Sequence, residues 1–162
     1  MTQPTTLPAA TADLLREYEQ GAYQLRAAVA GMTAEQLHAK PVPGTWSTHQ
    51  VICHLADAEL LYADRIKRVL AEEMPTLPGL DPDRHMRVAI HQRDAENELA
   101  LVAAVRKQIT ALLRTIRPDE FQRQGLHTEA GPLTLETLLG RVTNHIPHHV
   151  RFIAEKRAAL GI

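Results

Sequence analysis

The chain has 162 residues and a formal net charge of -1, with 44% hydrophobic and 23% charged residues. This composition is ordinary for a globular domain. The charge balance lacks the basic excess of nucleic-acid-binding proteins, and the sequence has no apolar run long enough to span a bilayer. We therefore expect one domain over residues 1–162, with no nucleic-acid partner and no membrane association. A single cysteine, Cys53, and a segment from Met1 to Pro8 without signal-peptide features predict a cytoplasmic protein.

The first helical pattern runs from about Ala10 to Ala30, where apolar side chains recur every three or four residues. Gly31 and the run Pro41–Gly44 break the helical pattern beyond it. Between them, residues 33–37 are expected to form a short helical turn. The sequence therefore predicts a long helix and an irregular connection before the second one.

The second helix begins at a capping box, in which Ser47 and Gln50 satisfy each other's free backbone amides. It is expected to end near Glu73, because Pro75 and Pro78 come soon afterwards. The residues predicted to be buried along it are Val51, Leu55, Ala58, Tyr62 and Val69.

The third helix is predicted from Asp94 to Arg117, with Pro118 just beyond it. About twenty residues separate it from the second helix, which at ~3.3 Å per residue is enough to run the length of a bundle. This crossover allows helices two and three to lie parallel. In the later connection, Gln124–Leu126 could turn back as a small hairpin.

The fourth helix is predicted from near Thr134 to just before Gly161. Pro147 lies inside it, removes a backbone hydrogen bond to Thr143 and is expected to bend the axis. Strand signals are otherwise almost absent, since aromatic residues make up 4% of the chain. The predicted fold is an all-α four-helix bundle with a long crossover between helices two and three.

Three of the nine histidines lie close together in the fourth helix. His145 and His149 are four residues apart, so both rings project from one helix face, beside the apolar stripe. His148 instead belongs to a polar row with Arg151. Two inward imidazoles one turn apart have the spacing of divalent-metal ligands, and a catalytic zinc site commonly uses three protein ligands.

His54 is the strongest candidate for the third ligand, because it lies beside the apolar stripe of the second helix. Asp57, three residues later, projects from nearly the same side and could orient the ring of His54 or reach the metal. Glu59 is rotated by about 140° from His54 and is better explained as a buried charge paired with another helix. Cys53 is best explained as a small core residue.

The other histidines are weaker candidates. His49, in the first turn of the second helix, and His127, in a predicted loop, are expected to face solvent. His85 and His91 lie in the crossover, where their positions cannot be derived from periodicity. Taken alone, an inward His54 would more often be a hydrogen-bonded core residue than a ligand.

Two motifs resemble those of the DinB/YfiT-like family. The segment Trp46–Glu59 is similar to its second-helix signature, in which Trp and Ser precede a helix carrying His-Leu-x-Asp-x-Glu. The segment Asn144–His149 is similar to its fourth-helix motif. The resemblance covers essentially the whole chain and implies a bundle with a crossover, often dimeric.

The resemblance also implies a nickel or zinc ion held by His54, His145 and His149. Family members include transferases that use low-molecular-weight thiols such as bacillithiol, mycothiol or glutathione, together with isomerases and hydrolases. The expected function is transfer of such a thiol, as co-substrate, to an electrophilic small molecule.

Two alternatives stay open. One is hydrolysis by a metal-bound hydroxide, which needs the same ligands. The other is a non-catalytic helical module that binds a small ligand, with the metal absent or structural. A fourth protein ligand would favour that module, whereas an open coordination position facing a pocket would favour an enzyme. His91, Asp94 and Glu98 are candidates for such a ligand or for a general base.

Overall fold

The computed structural model describes residues 7–162, so the predictions for Met1 to Thr6 lie outside the described residues. Four long helices dominate the chain, joined by short helices, two 3-10 turns and three short strands. In chain order the elements are α1 (Ala9–Val29), α2 (Ala34–His38), α3 (Thr48–Ala71), β1 (Thr76–Leu77), α4 (Pro82–His85), a 3-10 turn (Ile90–Gln92), α5 (Ala95–Leu113), a 3-10 turn (Pro118–Gln122), β2 (Gln124–His127), β3 (Gly131–Thr134) and α6 (Leu135–Leu160). Within residues 7–162, no helix combines the length and apolarity needed to cross a bilayer.

Local chemistry sets the helix ends. The Ser47 hydroxyl accepts from the backbone N–H of Gln50 at 3.1 Å, and the Gln50 side chain accepts from the N–H of Ser47 at 2.9 Å, so the predicted capping box is confirmed. Helix α5 ends at Leu113, four residues before the predicted end at Arg117. Arg117 is extended, with φ -75° and ψ 153°, because it precedes a proline. Helix α6 continues through Pro147 without interruption.

The bundle has a crossover topology. Helix α6 packs between α1 and α3, and α5 packs between the same two helices on the opposite side. His49 at the start of α3 contacts Arg93 just before α5, while Lys67 and Gln108 meet further along both helices. Helices α3 and α5 therefore run parallel, which confirms the arrangement that the long connection predicted.

A three-stranded sheet closes one end of the bundle. Strand β1 pairs with β2 in parallel, and β2 pairs with β3 in antiparallel orientation. The residues Gln124–Leu126, predicted as a turn, lie within β2, and the turn comes after His127. Side chains of β2 alternate between exposed and buried, because one face packs against α3.

Two apolar clusters fill the bundle, one on the side of the sheet and one around Trp46. Between them lies a polar layer with a buried ion pair, in which Arg106 donates from Nε to a Glu59 carboxylate oxygen at 2.8 Å. The Tyr18 hydroxyl donates to the other Glu59 oxygen at 3.1 Å. The interpretation of Glu59 as a buried charge paired with another helix is therefore confirmed.

Gly125→Ala is expected to destabilise the protein by about 1–3 kcal/mol, because overpacking forces neighbouring side chains apart. A Cβ at this position would lie 2.7 Å from Leu77 Cδ1 and 3.0 Å from Val69 Cγ2. Gly140→Ala is the control: its Cβ would meet nothing within 4 Å, and alanine in a helix is favoured by roughly 1 kcal/mol. Urea denaturation measures both, and equal effects would contradict this packing at Gly125.

Candidate metal centre

Three histidines meet between helices α3 and α6. The Nε2 atom of His145 lies 3.1 Å from Nε2 of His54 and 3.2 Å from Nε2 of His149. One nitrogen from each ring lies within 4.8 Å of the others. Within residues 7–162, this cluster contains no fourth His, Cys, Asp or Glu. The structure thus brings together the three residues that helical periodicity and the family resemblance selected.

The geometry suits a divalent ion better than a hydrogen-bond network. The Nε2 atom of a neutral imidazole offers either one N–H or one in-plane lone pair, so hydrogen bonding at His145 Nε2 can satisfy only one of its two contacts well. Zinc–nitrogen distances of about 2.0–2.1 Å place tetrahedral ligand atoms roughly 3.3–3.4 Å apart. Octahedral ligands at the same distance lie about 2.8–3.0 Å apart. The observed 3.1 and 3.2 Å fall between these values.

Electrostatics keep the three rings neutral, as metal ligation requires. Burial, reinforced by the neighbouring rings of His149 and His54, lowers the pKa of His145 to about 3. Burial and the adjacent His54 and His148 lower the pKa of His149 to about 4. Burial also lowers the pKa of His54, although the nearby carboxylate of Asp57 opposes that shift.

The metal-free protein is expected to lose stability as the pH falls below about 6.5, the ordinary histidine pKa. Between that value and the lowered folded-state values, the unfolded chain binds more protons than the folded one, so the free energy of unfolding rises with pH. From pH 7 to pH 5 the loss is up to about 2 kcal/mol for His145 and smaller for His149, whose ring is less buried and better screened by solvent. Denaturant unfolding at several pH values measures this loss. In the double variant His145→Gln/His149→Gln, the free energy of unfolding should change less with pH. If the pH dependence of the free energy of unfolding were the same in the double variant, the pKa values of His145 and His149 would not be its cause.

Asp57 is engaged elsewhere. Its two carboxylate oxygens accept hydrogen bonds from Arg93 at 2.9 and 3.0 Å, and Arg93 also binds Glu98 at 2.6 Å. Among the described residues, no hydrogen bond joins Asp57 to His54. The predicted orienting contact is therefore absent, because Arg93, just before α5, takes up the carboxylate. Asp57 acts on His54 through its charge.

Two histidines predicted to face solvent are buried. His49 is 2% exposed, stacks on His38 and lies 2.7 Å from the carbonyl oxygen of Arg93. His127 is 8% exposed on the inward face of β2, beside Arg65. The prediction was wrong for both, because α2, the crossover and the sheet cover positions that look peripheral in the sequence.

The predictions for His148 and Cys53 are confirmed. His148 is exposed and its Nδ1 lies 3.0 Å from Arg151, a member of the same polar row. Cys53 is fully buried, and burial raises the pKa of its thiol to about 11. Neither side chain belongs to the histidine cluster.

A cavity of about 210 Å³ opens beside the cluster and is lined by His54 and His145. Further along α3, its wall includes Arg65, with His127 and Glu129 from the β2–β3 hairpin. The remaining lining residues are mainly apolar: Ala58, Leu61, Tyr62 and Leu80. Arg65 was not among the predicted site residues, although it shares the helix face of His54.

Comparison with known proteins identifies the family. The family model for the DinB superfamily matches residues 17–153. The chain belongs to this superfamily. The DinB/YfiT-like resemblance found in the two sequence motifs is therefore confirmed.

Relatives extend the similarity over most of the chain. It is 33% identical over 140 residues to "Putative metal-dependent hydrolase YfiT" of Bacillus subtilis, covering 85% of this chain and 79% of that protein. It is 29% identical over 139 residues to "Putative metal-dependent hydrolase OB0782" of Oceanobacillus iheyensis, covering 86% and 81%.

A solved structure of YfiT from Bacillus subtilis superposes on this DinB superfamily protein with a TM-score of 0.88 at 29% identity. The match covers 99% of this chain and 93% of that one. That structure is described as "a probable metal-dependent hydrolase with an unusual four-helix bundle topology". The four-helix bundle predicted from the sequence is confirmed by this similarity.

Proposed function

We propose that this DinB superfamily protein is a metal-dependent hydrolase of small molecules, with His54, His145 and His149 as the metal ligands. The proposal rests on the convergence of three Nε2 atoms beside a cavity, without a fourth candidate ligand in the cluster among residues 7–162. When bound, a zinc or nickel ion lowers the pKa of a coordinated water and polarises a substrate carbonyl. The names of the relatives support the same chemistry.

The chain's own residues hold the ligands in position. The ring of Trp46 packs against His54, with centroids 5.1 Å apart, and limits its rotation. On α6, Arg106 donates to the carbonyl of Val142 at 2.8 Å, one turn before His145. These contacts fix both ligand-bearing helices, so that ligand placement costs little additional ordering when the ion binds.

The three-ligand arrangement also favours an enzyme over the non-catalytic module. Asp94 caps α5 by accepting from Asn97, and Glu98 binds Arg93. His91 is exposed, and none of the three joins the histidine cluster. An ion held by the three histidines alone would keep a coordination position for water or substrate, as in catalytic zinc sites.

The size of the cavity supports hydrolysis ahead of thiol transfer. Sites for drug-sized ligands usually measure about 300–1,000 Å³. The cavity beside His54 measures about 210 Å³, which suits one small substrate and a water molecule. A thiol of the size of glutathione and its electrophile would together extend well beyond this half-open cavity.

Thiol transfer is the second candidate, and one observation favours it. His145 also borders a wide, shallow depression on the surface of α6, together with Arg141, Asn144 and His148. A low-molecular-weight thiol could bind there while the electrophile occupies the smaller cavity. Both reactions use the same three ligands, so the histidine cluster does not distinguish them.

Activity measurements separate the two reactions. Zinc- or nickel-loaded protein is tested on small esters and amides in thiol-free buffer, and on a bimane electrophile with glutathione, bacillithiol or cysteine. Turnover in thiol-free buffer that is lost in His54→Ala supports hydrolysis. Turnover that requires added thiol supports transfer, and metal-independent turnover contradicts both.

Dimerisation remains a prediction, which sedimentation of the purified protein tests.

A further inference from the structure

Arg65 belongs to the same face of α3 as His54. Eleven residues separate them, which at 100° per residue is three turns and about 20°. The Cα atoms are therefore about 16 Å apart along the axis, and the long arginine side chain leans back toward the N-terminal end of the helix. Both residues line the 210 Å³ cavity, with the apolar Ala58 and Leu61 between them.

Arg65 differs from the other arginines with largely buried side chains. Arg106 pairs with Glu59, and Arg93 pairs with Asp57 and Glu98. Arg65 is 3% exposed, yet among residues 7–162 no carboxylate oxygen lies within 4.0 Å of its guanidinium. Its guanidinium carbon lies 5.0 Å from the centroid of the Tyr62 ring, a weaker partner than a carboxylate. Buried charges in proteins are normally paired with an opposite charge, so a guanidinium without a carboxylate in a cavity wall favours an anionic partner from outside the chain.

The hydrogen bonds around Arg65 show an excess of donors. Its Nη2 donates to the carbonyl oxygen of Pro78 and lies 3.2 Å from His127 Nε2. Its Nε is buried without any partner among the described residues. The other ring nitrogen of His127 faces the backbone N–H groups of Glu129 and Ala130 at 3.2 and 3.3 Å. This end of the cavity therefore has more hydrogen-bond donors than acceptors, and a group rich in acceptors would complement it.

Charges around this end of the cavity favour an anion. Arg141 is close enough to lower the pKa of both Arg65 and His127, although burial is the larger cause for each. The opposing carboxylate is Glu129, which is exposed. Arg65 and the solvated Glu129 line this end of the cavity, and Arg141 lies nearby outside the lining, so two guanidinium groups surround it against one carboxylate.

We infer that Arg65 binds an anionic oxygen group of the substrate, a carboxylate or a phosphate, at the end of the cavity away from the histidine cluster. A guanidinium donates charge-assisted hydrogen bonds to either group. The apolar wall receives the body of the substrate, and its reacting bond lies toward His54 and His145. The substrate role rests on the proposed function, whereas anion binding by Arg65 does not.

Direct binding tests the inference without turnover. Benzoate, phenyl phosphate and the neutral benzamide are titrated into the protein, both metal-loaded and chelator-treated, by calorimetry and ligand-observed NMR. One or both anions should bind and benzamide should not. Arg65→Met should weaken anion binding by at least about tenfold, because charge-assisted hydrogen bonds are lost. Arg68→Met, an exposed arginine on the same helix, is the matched control and should change nothing.

Two further measurements distinguish anion binding by Arg65 from anion binding by the metal. Should Arg65→Met fail to fold, the side-chain Nε–H signal of Arg65 in the wild-type protein reports binding, since it should shift with benzoate and stay unmoved with benzamide. Binding that persists in His149→Ala supports Arg65 as the anion site whatever becomes of the hydrolase proposal. Binding lost in His149→Ala but kept in Arg65→Met would assign the anion to the metal and overturn the inference. Equal binding of benzamide would overturn it as well.

Discussion

His149→Ala is expected to abolish stoichiometric metal binding and, with it, the metal-dependent activity. Removing residues that merely orient a ligand already costs about 10–100-fold in metal affinity, so loss of one of three ligands should exceed 100-fold. His145 and His54 would remain, with their Nε2 atoms 3.1 Å apart. Elemental analysis of untagged protein and a competition titration with a chelator measure the effect.

His148→Ala is the matched control, since this neighbouring ring is exposed and lies outside the cluster. Its ring centroid is 5.1 Å from that of His149, so the two substitutions remove neighbouring imidazoles of the same helix. Metal content should stay stoichiometric in His148→Ala. Equal loss in both variants, or full metal content in His149→Ala, would refute the assignment of His149 as a ligand.

Helical periodicity could predict the cluster because its members obey rules internal to a helix. His145 and His149 share a face of α6 by their spacing, and His54 is selected by its place beside the buried stripe of α3. The family motifs add that the two faces meet. What the sequence alone could not supply is the distance between the rings, which depends on how α3 packs against α6.

The predictions that were wrong concern residues whose neighbours come from distant segments of the chain. His49 lies in the first turn of α3, where exposure is the usual outcome, yet α2 and Arg93 cover it. Asp57 projects to the side expected, but Arg93 from the crossover takes its carboxylate. Helical spacing likewise places Arg65 on the His54 face, while its lack of a carboxylate partner is a property of the folded chain.

Arg106→Met is expected to destabilise the protein by about 3–5 kcal/mol, since it leaves Glu59 as an uncompensated buried charge. Arg106 is 1% exposed and Glu59 is fully buried. Arg106 also donates to the backbone carbonyls of Tyr18 and Val142, so it joins α1, α3 and α6 to its own helix α5. Gly21 leaves room for this guanidinium, because a Cβ there would collide with it. Urea denaturation followed by circular dichroism measures the loss.

The exposed pair Arg114–Glu19 provides the control, since Arg114→Met should cost less than about 1 kcal/mol. The double variant Arg106→Met/Glu59→Leu separates charge burial from packing. Replacing both charges by apolar groups removes the desolvation penalty of each, so the double variant should be more stable than Arg106→Met alone. Additive losses in the double variant would show instead that the carbonyl contacts of Arg106, and not its pairing with Glu59, stabilise the bundle.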